Sequence, residues 1–461
     1  MTLFMRGLFY RKRDNSFMRI EMPSDVKFII ETLEQAGYEA YAVGGCIRDS
    51  ILQRVPDDWD ITTSAKPEQI KKLFMKTIDT GIAHGTVTVM KNHTGYEVTT
   101  YRIDGEYEDG RHPKEVTFTS DLLEDLRRRD FTINAMAYND RAGLVDAFGG
   151  REDIQKQRIR CVGEAKCRFS EDALRMMRAV RFAAQLGYEI EEETKQAISL
   201  LAKNLEKISA ERIRVELMKL LLSDHPYKLR EMYELGLTAV FFPEFDKAMI
   251  TTQNNPHHIY TVGEHILKAV ELAPKDSILR LTMLLHDIAK PETLKKDEEG
   301  IDHFHGHNVR GEIMAVDILR RLRFDNLTIG QVGRLVNCHD DKVSLKPERL
   351  RKYISKLGCE LFEALLKVKE ADMLAQSLYL RKEKEEELKR LGEEYEKICI
   401  SQDCLSLKEL ELTGNDLIML GMKPGKEIGD MLQQVLEHVL ENPENNKKDI
   451  LLQLVKNKIE V

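Results

Sequence analysis

Apolar residues recur at helical spacing in residues 24–37, SDVKFIIETLEQAG, where Val26, Ile29, Ile30 and Leu33 form one stripe. Ser24 is placed to cap this helix and Gly37 to end it. The pattern then changes. YEAYAVGG, DWDITT, HGTVTVMKN, YEVTTYR and VTFTS are short runs rich in β-branched and aromatic residues, with the helix-like PEQIKKLF among them. This mixture ends near residue 125 and predicts a head of strands and helices. Beyond it, EDALRMMRAVRFAAQLG, AERIRVELMKLLLS and SILRLTMLLHDIAK are helix-periodic, and almost all of the remaining chain is expected to be helical. The fold class is α+β: an N-terminal mixed β-sheet head followed by an all-α neck, a histidine-bearing helical domain and a tail.

Two shifts mark boundaries. Histidines become dense after the loop TTQNNPHH (251–258), and LRKEKEEELKRLGEEYEK (380–397) is a mixed-charge helix that reads as a solvated spacer. The expected organisation is an N-terminal extension over 1–20, a head over 21–150, a neck over 151–220, a connector over 221–254, a histidine-bearing domain over 255–378, and a spacer with tail over 379–461. A length of 461 residues predicts about three domains at roughly 150 residues each.

The net charge of −8 predicts no nucleic-acid partner from the whole chain, so any basic footprint is local. Residues 127–181 supply one: thirteen Lys/Arg against eight Asp/Glu, a net of +5. Seven scattered cysteines without a C-x-x-C pair predict reduced thiols in a cytoplasmic protein. No apolar run is long enough to span a membrane. The N-terminal basic cluster follows a short apolar stretch, the wrong order for a secretory signal.

The richest stretch is VGGCIRDSILQRVPDDWDIT (43–62). Gly44-Gly45 ends a strand-like run and opens a helix, where backbone N–H groups approach a phosphate closely; the alternative is an ordinary tight turn. Arg48 follows within reach of the same phosphates. Asp58 and Asp60 flank Trp59, and at i, i+2 on a strand both carboxylates face one way. Their repulsion calls for a divalent cation, and Mg2+ takes carboxylates together with substrate phosphates. A solvated acidic turn is the other reading. Glu97, in YEVTTYR, is the candidate third carboxylate of a two-metal phosphoryl-transfer site, or else an outward residue of an amphipathic strand.

GGCIRD with DDWD resembles the first motif of the class II tRNA nucleotidyltransferases, the CCA-adding enzymes of the polymerase-β-like superfamily. EDLRRRDFTINAMAY (124–138), LVDAFGGREDI (144–154), EDALRMMRAVRF (171–182) and ISAERIRVEL (208–217) are similar, in order, to the later motifs. The resemblance implies a template-independent transferase that builds or repairs the 3′ CCA of tRNA from CTP and ATP with Mg2+. It implies nucleotide contacts by Gly44, Gly45, Arg48 and Arg129, with Asp130 and Asn134 orienting Arg129. Asp172, Arg175, Arg178 and Arg181 step round a helix as a polar ladder. An Asp–Arg pair can recognise an amine beside a ring acceptor, which C and A share. The resemblance assigns this reading to Asp172 and Arg175, with Arg178 and Arg181 nearer the triphosphate; surface salt bridging is the plain alternative. The polar segment 101–118 is similar to the mobile loop of full CCA-adding enzymes.

The helical part carries His265, His286-Asp287 in LLHDIAK, and Asp372. Imidazole with carboxylate suits Ni2+, Co2+, Mn2+, Zn2+ or Fe2+ better than Ca2+. The four positions resemble an HD domain, with His307 and His339 as further ligands of a second metal. HD domains joined to nucleotidyltransferases include phosphohydrolases and scaffolds. In the tail, Lys423, Gly425 and Lys426 at a helix start offer N–H groups and ammonium groups to a tRNA phosphate, or form a plain helix start. Two other functions fit the same residues: a poly(A) polymerase or partial CC- or A-adding enzyme, and an HD metal phosphohydrolase with an RNA-binding N-terminal module. The oligomeric state is left open.

Overall fold

The computed structural model describes residues 19–105 and 116–459. The extension expected over 1–20 falls almost wholly outside the described residues, as does most of the loop over 101–118. The rest forms two compact units rather than three: residues up to Leu220 with Glu231–Val240, and Leu221–Arg230 with Phe241 onward. The connector expected over 221–254 is divided between the two units. The divisions at 150, 254 and 378 fall inside these units.

In the first unit, α1 (Ser24–Gln35) buries Val26, Ile29, Ile30 and Leu33. Its cap differs from expectation: Pro23 is the N-cap and Ser24 the first helical residue, with no side-chain cap. The helix stops where Gly37 takes a φ of +88°, a conformation that glycine adopts without a Cβ clash. Then follow β1 (Ala40–Val43), α2 (Gly45–Ile51), β2 (Asp60–Thr63), α3 (Pro67–Leu73), β3 (Thr77–Gly81), β4 (Thr86–Lys91), β5 (Thr94–Thr100), β6 (Arg102–Asp104), β7 (Val116–Phe118) and α4 (Leu122–Arg127). Strands continue past residue 126, where the chain is expected to be almost entirely helical: β8 (Ala137–Asn139) and β9 (Gly143–Val145) join the main sheet. At three residues each they are too short to show a period, and pairing with β1 and with each other defines them.

The seven-stranded sheet runs β3-β4-β5-β2-β1-β8-β9. It is mixed, with β2 and β5 parallel and the other pairs antiparallel. The neck adds α5 (Gly150–Gln155), β10 (Arg158–Ile159), α6 (Ala165–Glu171), α7 (Leu174–Leu186), β11 (Glu189–Ile190), α8 (Glu192–Leu201) and α9 (Ala210–Leu221). Phe131, fully buried, meets Phe182 of α7 edge-on at 5.7 Å. Head and neck therefore share apolar packing.

Short helices α10 (Leu229–Glu234), α11 (Thr238–Phe241) and α12 (Pro243–Ile250) precede the remaining helices of the second unit. These are α13 (Val262–Leu272), α14 (Ser277–Leu285), α15 (Lys290–Thr293), α16 (His307–Arg321), α17 (Asn326–Cys338), α18 (Pro347–Leu357), α19 (Cys359–Ala375), α20 (Arg381–Ile400), α21 (Gly414–Met419), α22 (Lys426–Glu441) and α23 (Lys448–Ile459). One core joins Leu335, Leu350 and Phe362 to Tyr395, Leu417, Val435 and Val455. The tail is thus not a separate domain. Nor is α20 a solvated spacer, since it buries Leu391, Tyr395 and Ile398 in that core.

Candidate functional site

Val43, the last residue of β1, pairs with Asp60, the first of β2. Gly44 comes next at φ +87°, and a Cβ there would lie 3.2 Å from Arg129 Nη1. Glycine thus meets two demands at once, a left-handed backbone and the close approach of a guanidinium. Asp58 precedes β2 rather than lying on it, so alternation along a strand does not align the two aspartates. Glu97 is aligned instead. Ile61 pairs with Val98 across parallel β2 and β5, so Asp60 and Glu97, each one step earlier, stand side by side on one face.

Asp58, Asp60 and Glu97 are solvent-exposed. Although their outer surfaces meet solvent, the surrounding protein partly desolvates the carboxyl of Glu97 and raises its pKa, and Asp60 and Asp58 raise it further. The same partial desolvation raises Asp60; Arg129 opposes this and Asp58 adds to it. The three carboxylates stand in each other's field, an all-oxygen set that suits Mg2+. Their oxygens do not close into one tight group: among the described residues, only sets from the second unit bring three ligand atoms within 4.8 Å. Cys46 lies beside Asp60, and burial pushes its thiol up to about 12, so it is not a nucleophile at neutral pH.

The arginines are held by partners that the spacing of the motifs did not reveal. Asp125, fully buried, accepts from Arg128 Nε and Nη2 at 2.9 and 2.7 Å, from Arg129 Nη2 at 3.4 Å and from the Thr62 hydroxyl at 3.0 Å. It therefore orients Arg129, the role expected of Asp130 and Asn134. Those two act elsewhere. Arg178 Nε donates to Asp130 Oδ2 at 2.8 Å, the Asn134 amide donates to Asp130 Oδ1 at 3.2 Å, and Arg48 Nη1 donates to Asn134 Oδ1 at 2.7 Å. Burial alone would raise the pKa of Asp130, but Arg178, helped by Arg175 and Asn134, holds it well below the carboxylate range. Arg48 also pairs with Asp49 at 2.8 Å.

The polar ladder does not lie on one helix. Asp172 falls in the break between α6 and α7, where its carboxylate accepts from Leu174 N at 3.0 Å and from Arg212 Nη2 at 2.7 Å. Arg175 donates to Glu171 at 2.6 Å and to the Arg128 carbonyl at 3.1 Å. Arg178 remains a third exposed. Arg181 does not reach an open face: it is buried, donates to Glu216 at 2.9 Å, and lies 3.6 Å over the Phe182 ring. Glu216 and Arg212 lie four apart in ISAERIRVEL, so their shared face was visible but their partners were not.

The histidines of the second unit do converge. His265 Nε2 lies 3.1 Å from His286 Nε2, 2.9 Å from Asp372 Oδ1 and 3.4 Å from Asp287 Oδ2. His307 Nε2 lies 3.2 Å from His339 Nε2, and the two are 3.4 and 3.7 Å from Asp287 Oδ1. Asp287 therefore bridges two ligand groups, His265–His286–Asp287 and Asp287–His307–His339. Each Nδ1 faces a backbone carbonyl, of Met283, Phe304 and Val336 at 2.7–2.8 Å and of Ala375 at 3.4 Å. This fixes the tautomers so that the Nε2 lone pairs point inward, the outer-shell arrangement of metal-binding histidines. Burial disfavours a charged His286 and the Asp287 and Asp372 carboxylates oppose that effect; both carboxylates face its Nε2, at 3.3 and 3.5 Å. Lys290 Nζ pairs with Asp287 Oδ2 at 2.6 Å.

In the tail, Lys423, Gly425 and Lys426 are exposed where α22 begins. No helix of the described residues is long and apolar enough to cross a membrane.

Residues 40–160 match the family described as "Poly A polymerase head domain". Residues 187–249 match "Probable RNA and SrmB- binding site of polymerase A", and 308–455 match tRNA nucleotidyltransferase domain 2. The head description fits either product class. A Lactobacillus helveticus protein named CCA-adding enzyme is 36% identical over 430 residues, 92% of this chain and 94% of that protein. The chain belongs to the CCA-adding enzyme family. A CCA-adding enzyme of Leuconostoc citreum is 54% identical over 197 residues, 43% of this chain. That match spans about half, 49%, of the relative's length. The solved structure of the Bacillus stearothermophilus CCA-adding enzyme in complex with CTP aligns with a TM-score of 0.70 at 30% identity, over 94% of this chain and 96% of that one.

Proposed function

We propose that this protein is a template-independent tRNA nucleotidyltransferase that adds or repairs the 3′-terminal CCA using CTP and ATP. The observation that carries the reading is the head end of the sheet: Asp60 and Glu97 side by side, Asp58 in their field, and Arg129 held against Gly44. Asp58 and Asp60, with Glu97, would hold Mg2+, which when bound neutralises triphosphate charge and lowers the pKa of the attacking 3′-hydroxyl. Arg129 faces the same end of the sheet and can neutralise phosphate oxygens. Asp172 and Arg175 can accept from an amine and donate to a ring acceptor, the pair of groups that C and A present; Arg212 steers the Asp172 carboxylate and Asp130 steers Arg178. Lys423, Gly425 and Lys426 present positive and N–H groups to tRNA phosphate. The unpaired cysteines fit a cytoplasmic setting.

The test is a tRNA lacking CCA, offered CTP and ATP separately and together. Asp58→Ala should lose incorporation by at least a thousandfold with tRNA binding retained. Near-parental incorporation by that variant refutes the carboxylate assignment, and repeated A addition by the parent makes the protein a poly(A) polymerase.

The four converging Nε2 atoms favour a second activity, a metal-dependent phosphohydrolase of HD type in the same chain. His265, His286 and Asp372 on one side, and His307 and His339 on the other, would hold two transition-metal ions, with Asp287 common to both sets of ligands. When bound, such a pair neutralises phosphoryl oxygens and makes water a better nucleophile. His286→Ala with Asp287→Ala should lower metal content by elemental analysis, remove hydrolysis of a nucleoside 2′,3′-cyclic phosphate, and spare CCA addition. Unchanged metal content in that variant refutes the site.

A further inference from the structure

A cavity of about 260 Å3 opens beside the histidine centre. Two helices wall it with the same spacing. From α19 come Lys369, Asp372 and Met373, with Gln376 at its C-cap; from α20 come Lys384, Glu387, Leu388 and Leu391. Both sets follow i, i+3, i+4, i+7, which is one helix face. The segment from His339 to Val343, which follows α17, completes the lining. The cavity therefore shares two residues with the metal-ligand set, Asp372 and His339. Asp372 is the most accessible of that set, with 19% of its side chain exposed against 0–11% for the others.

The polar groups are ordered toward that shared edge. Lys384 Nζ donates to Gln376 Oε1 at 2.6 Å and faces His257 Nδ1 at 3.2 Å. Gln376 Nε2 donates to Asp372 Oδ2 at 2.9 Å. The amide can sit only this way round, because an ammonium has no acceptor and a carboxylate no donor. Lys384 thus acts through Gln376 to aim the other carboxylate oxygen, Oδ1, at His265 and His286. Lys369 Nζ donates to the carbonyls of His339 and Asp341 at 2.8 and 2.7 Å. An ammonium has three donors, so among the described residues each lysine keeps one for a ligand. Asp340 and Glu387 line the same cavity, and Met373, Leu388 and Leu391 supply apolar wall.

We propose that this α19–α20 cavity is the ligand subsite of the histidine centre, that it selects a small ester carrying one phosphate, and that Lys384 donates to that phosphate. The proposal rests on the metal-dependent reading given above. The size excludes a folded RNA, lying just below the roughly 300–1,000 Å3 usual for small-molecule sites. Of the three lysines in the lining, Lys342 is solvent-exposed while Lys369 and Lys384 are half-buried and held by partners; the two held lysines match one phosphate, the carboxylates of Asp340 and Glu387 accept from hydroxyl or amine groups, and the same carboxylates repel a second phosphate. The helix that looks like a spacer in the sequence is then one wall of a site.

The experiment uses the full chain carrying Asp58→Ala, which removes the metal-dependent triphosphate site of the head, loaded with Mn2+ or Ni2+. Adenosine 3′-monophosphate and adenosine 3′,5′-bisphosphate are titrated by calorimetry, with bound metal measured in parallel. Lys384→Met should weaken the monophosphate by about tenfold or more, as for loss of a hydrogen bond to a charged group. Lys384→Arg should stay within threefold, both should keep the parental metal content, and both should leave CCA addition unchanged when Asp58 is intact. Asp340→Asn with Glu387→Gln should narrow the preference for one phosphate over two. Binding of the monophosphate by Lys384→Met within twofold of its parent overturns the proposal. So does a metal-loaded parent that fails to bind the monophosphate, which leaves the metal reading standing. A parent that retains no metal at His286 and Asp287 overturns both.

Discussion

Asp130→Asn is the substitution that probes the link between head and neck most directly. The carboxylate is 8% exposed and holds Arg178 through contacts of 2.8 and 2.6 Å, while its other oxygen holds Phe131 N at 2.8 Å and the Asn134 amide at 3.2 Å. Asparagine keeps the volume but removes the charge. Breaking a buried pair costs about 3–5 kcal/mol, and a hydrogen bond to a charged group contributes about 1.5–3 kcal/mol. Arg178 is 33% exposed and keeps Glu216 at 3.8 Å, so screening and the second partner place the cost near ~2 kcal/mol. For a unit of this size that lowers its midpoint by roughly 4–8 °C. Trp59, the one tryptophan of the chain, lies in the head, so its fluorescence reports that unit during thermal unfolding. The pH dependence provides a second check. Arg178 depresses the Asp130 pKa, so the ion pair stabilises fully above the unfolded value of about 3.9, and this contribution is lost as pH falls through the folded value. The gap between parent and variant should be largest near neutrality and shrink below pH ~4. A midpoint within about 1 °C of the parent, the scatter expected of surface changes, or a gap that widens on acidification, would refute the reasoning.

Gly44→Ala should cost about 1–2 kcal/mol for its left-handed backbone and displace Arg129; CCA addition measured at saturating CTP should fall at least tenfold, and parental turnover would show that the close approach is dispensable. Asp172→Ala should relax nucleotide choice by about 1–3 kcal/mol, on the scale of one base-reading contact; single-nucleotide incorporation from UTP and GTP reads this, and exclusion as strict as the parent's would leave Asp172 as a cap and partner of Arg212 alone.

Local spacing made much of this protein legible. The stripe of α1, the glycine pair, Asp58 and Asp60, the EDALRMMRAVRF segment and the His-Asp pair stand out because short-range geometry and residue chemistry suffice to single them out. Partners distant in sequence were not legible. Asp172 with Arg212, Asp125 with Thr62, and Glu216 with Arg181 join residues 40, 63 and 35 positions apart, and only packing decides which of several nearby charges becomes the partner of each. The same holds for β8 and β9, whose three residues become strands by pairing with β1 and with each other. It holds for α20, whose charged sequence describes its solvent face correctly but conceals the stripe of Lys384, Glu387, Leu388 and Leu391 turned toward α19. Sequence by itself determined which groups could do chemistry; the tertiary structure decided which were held still, which were buried and spent on packing, and which faced a cavity, because those outcomes depend on long-range contacts that no local period encodes.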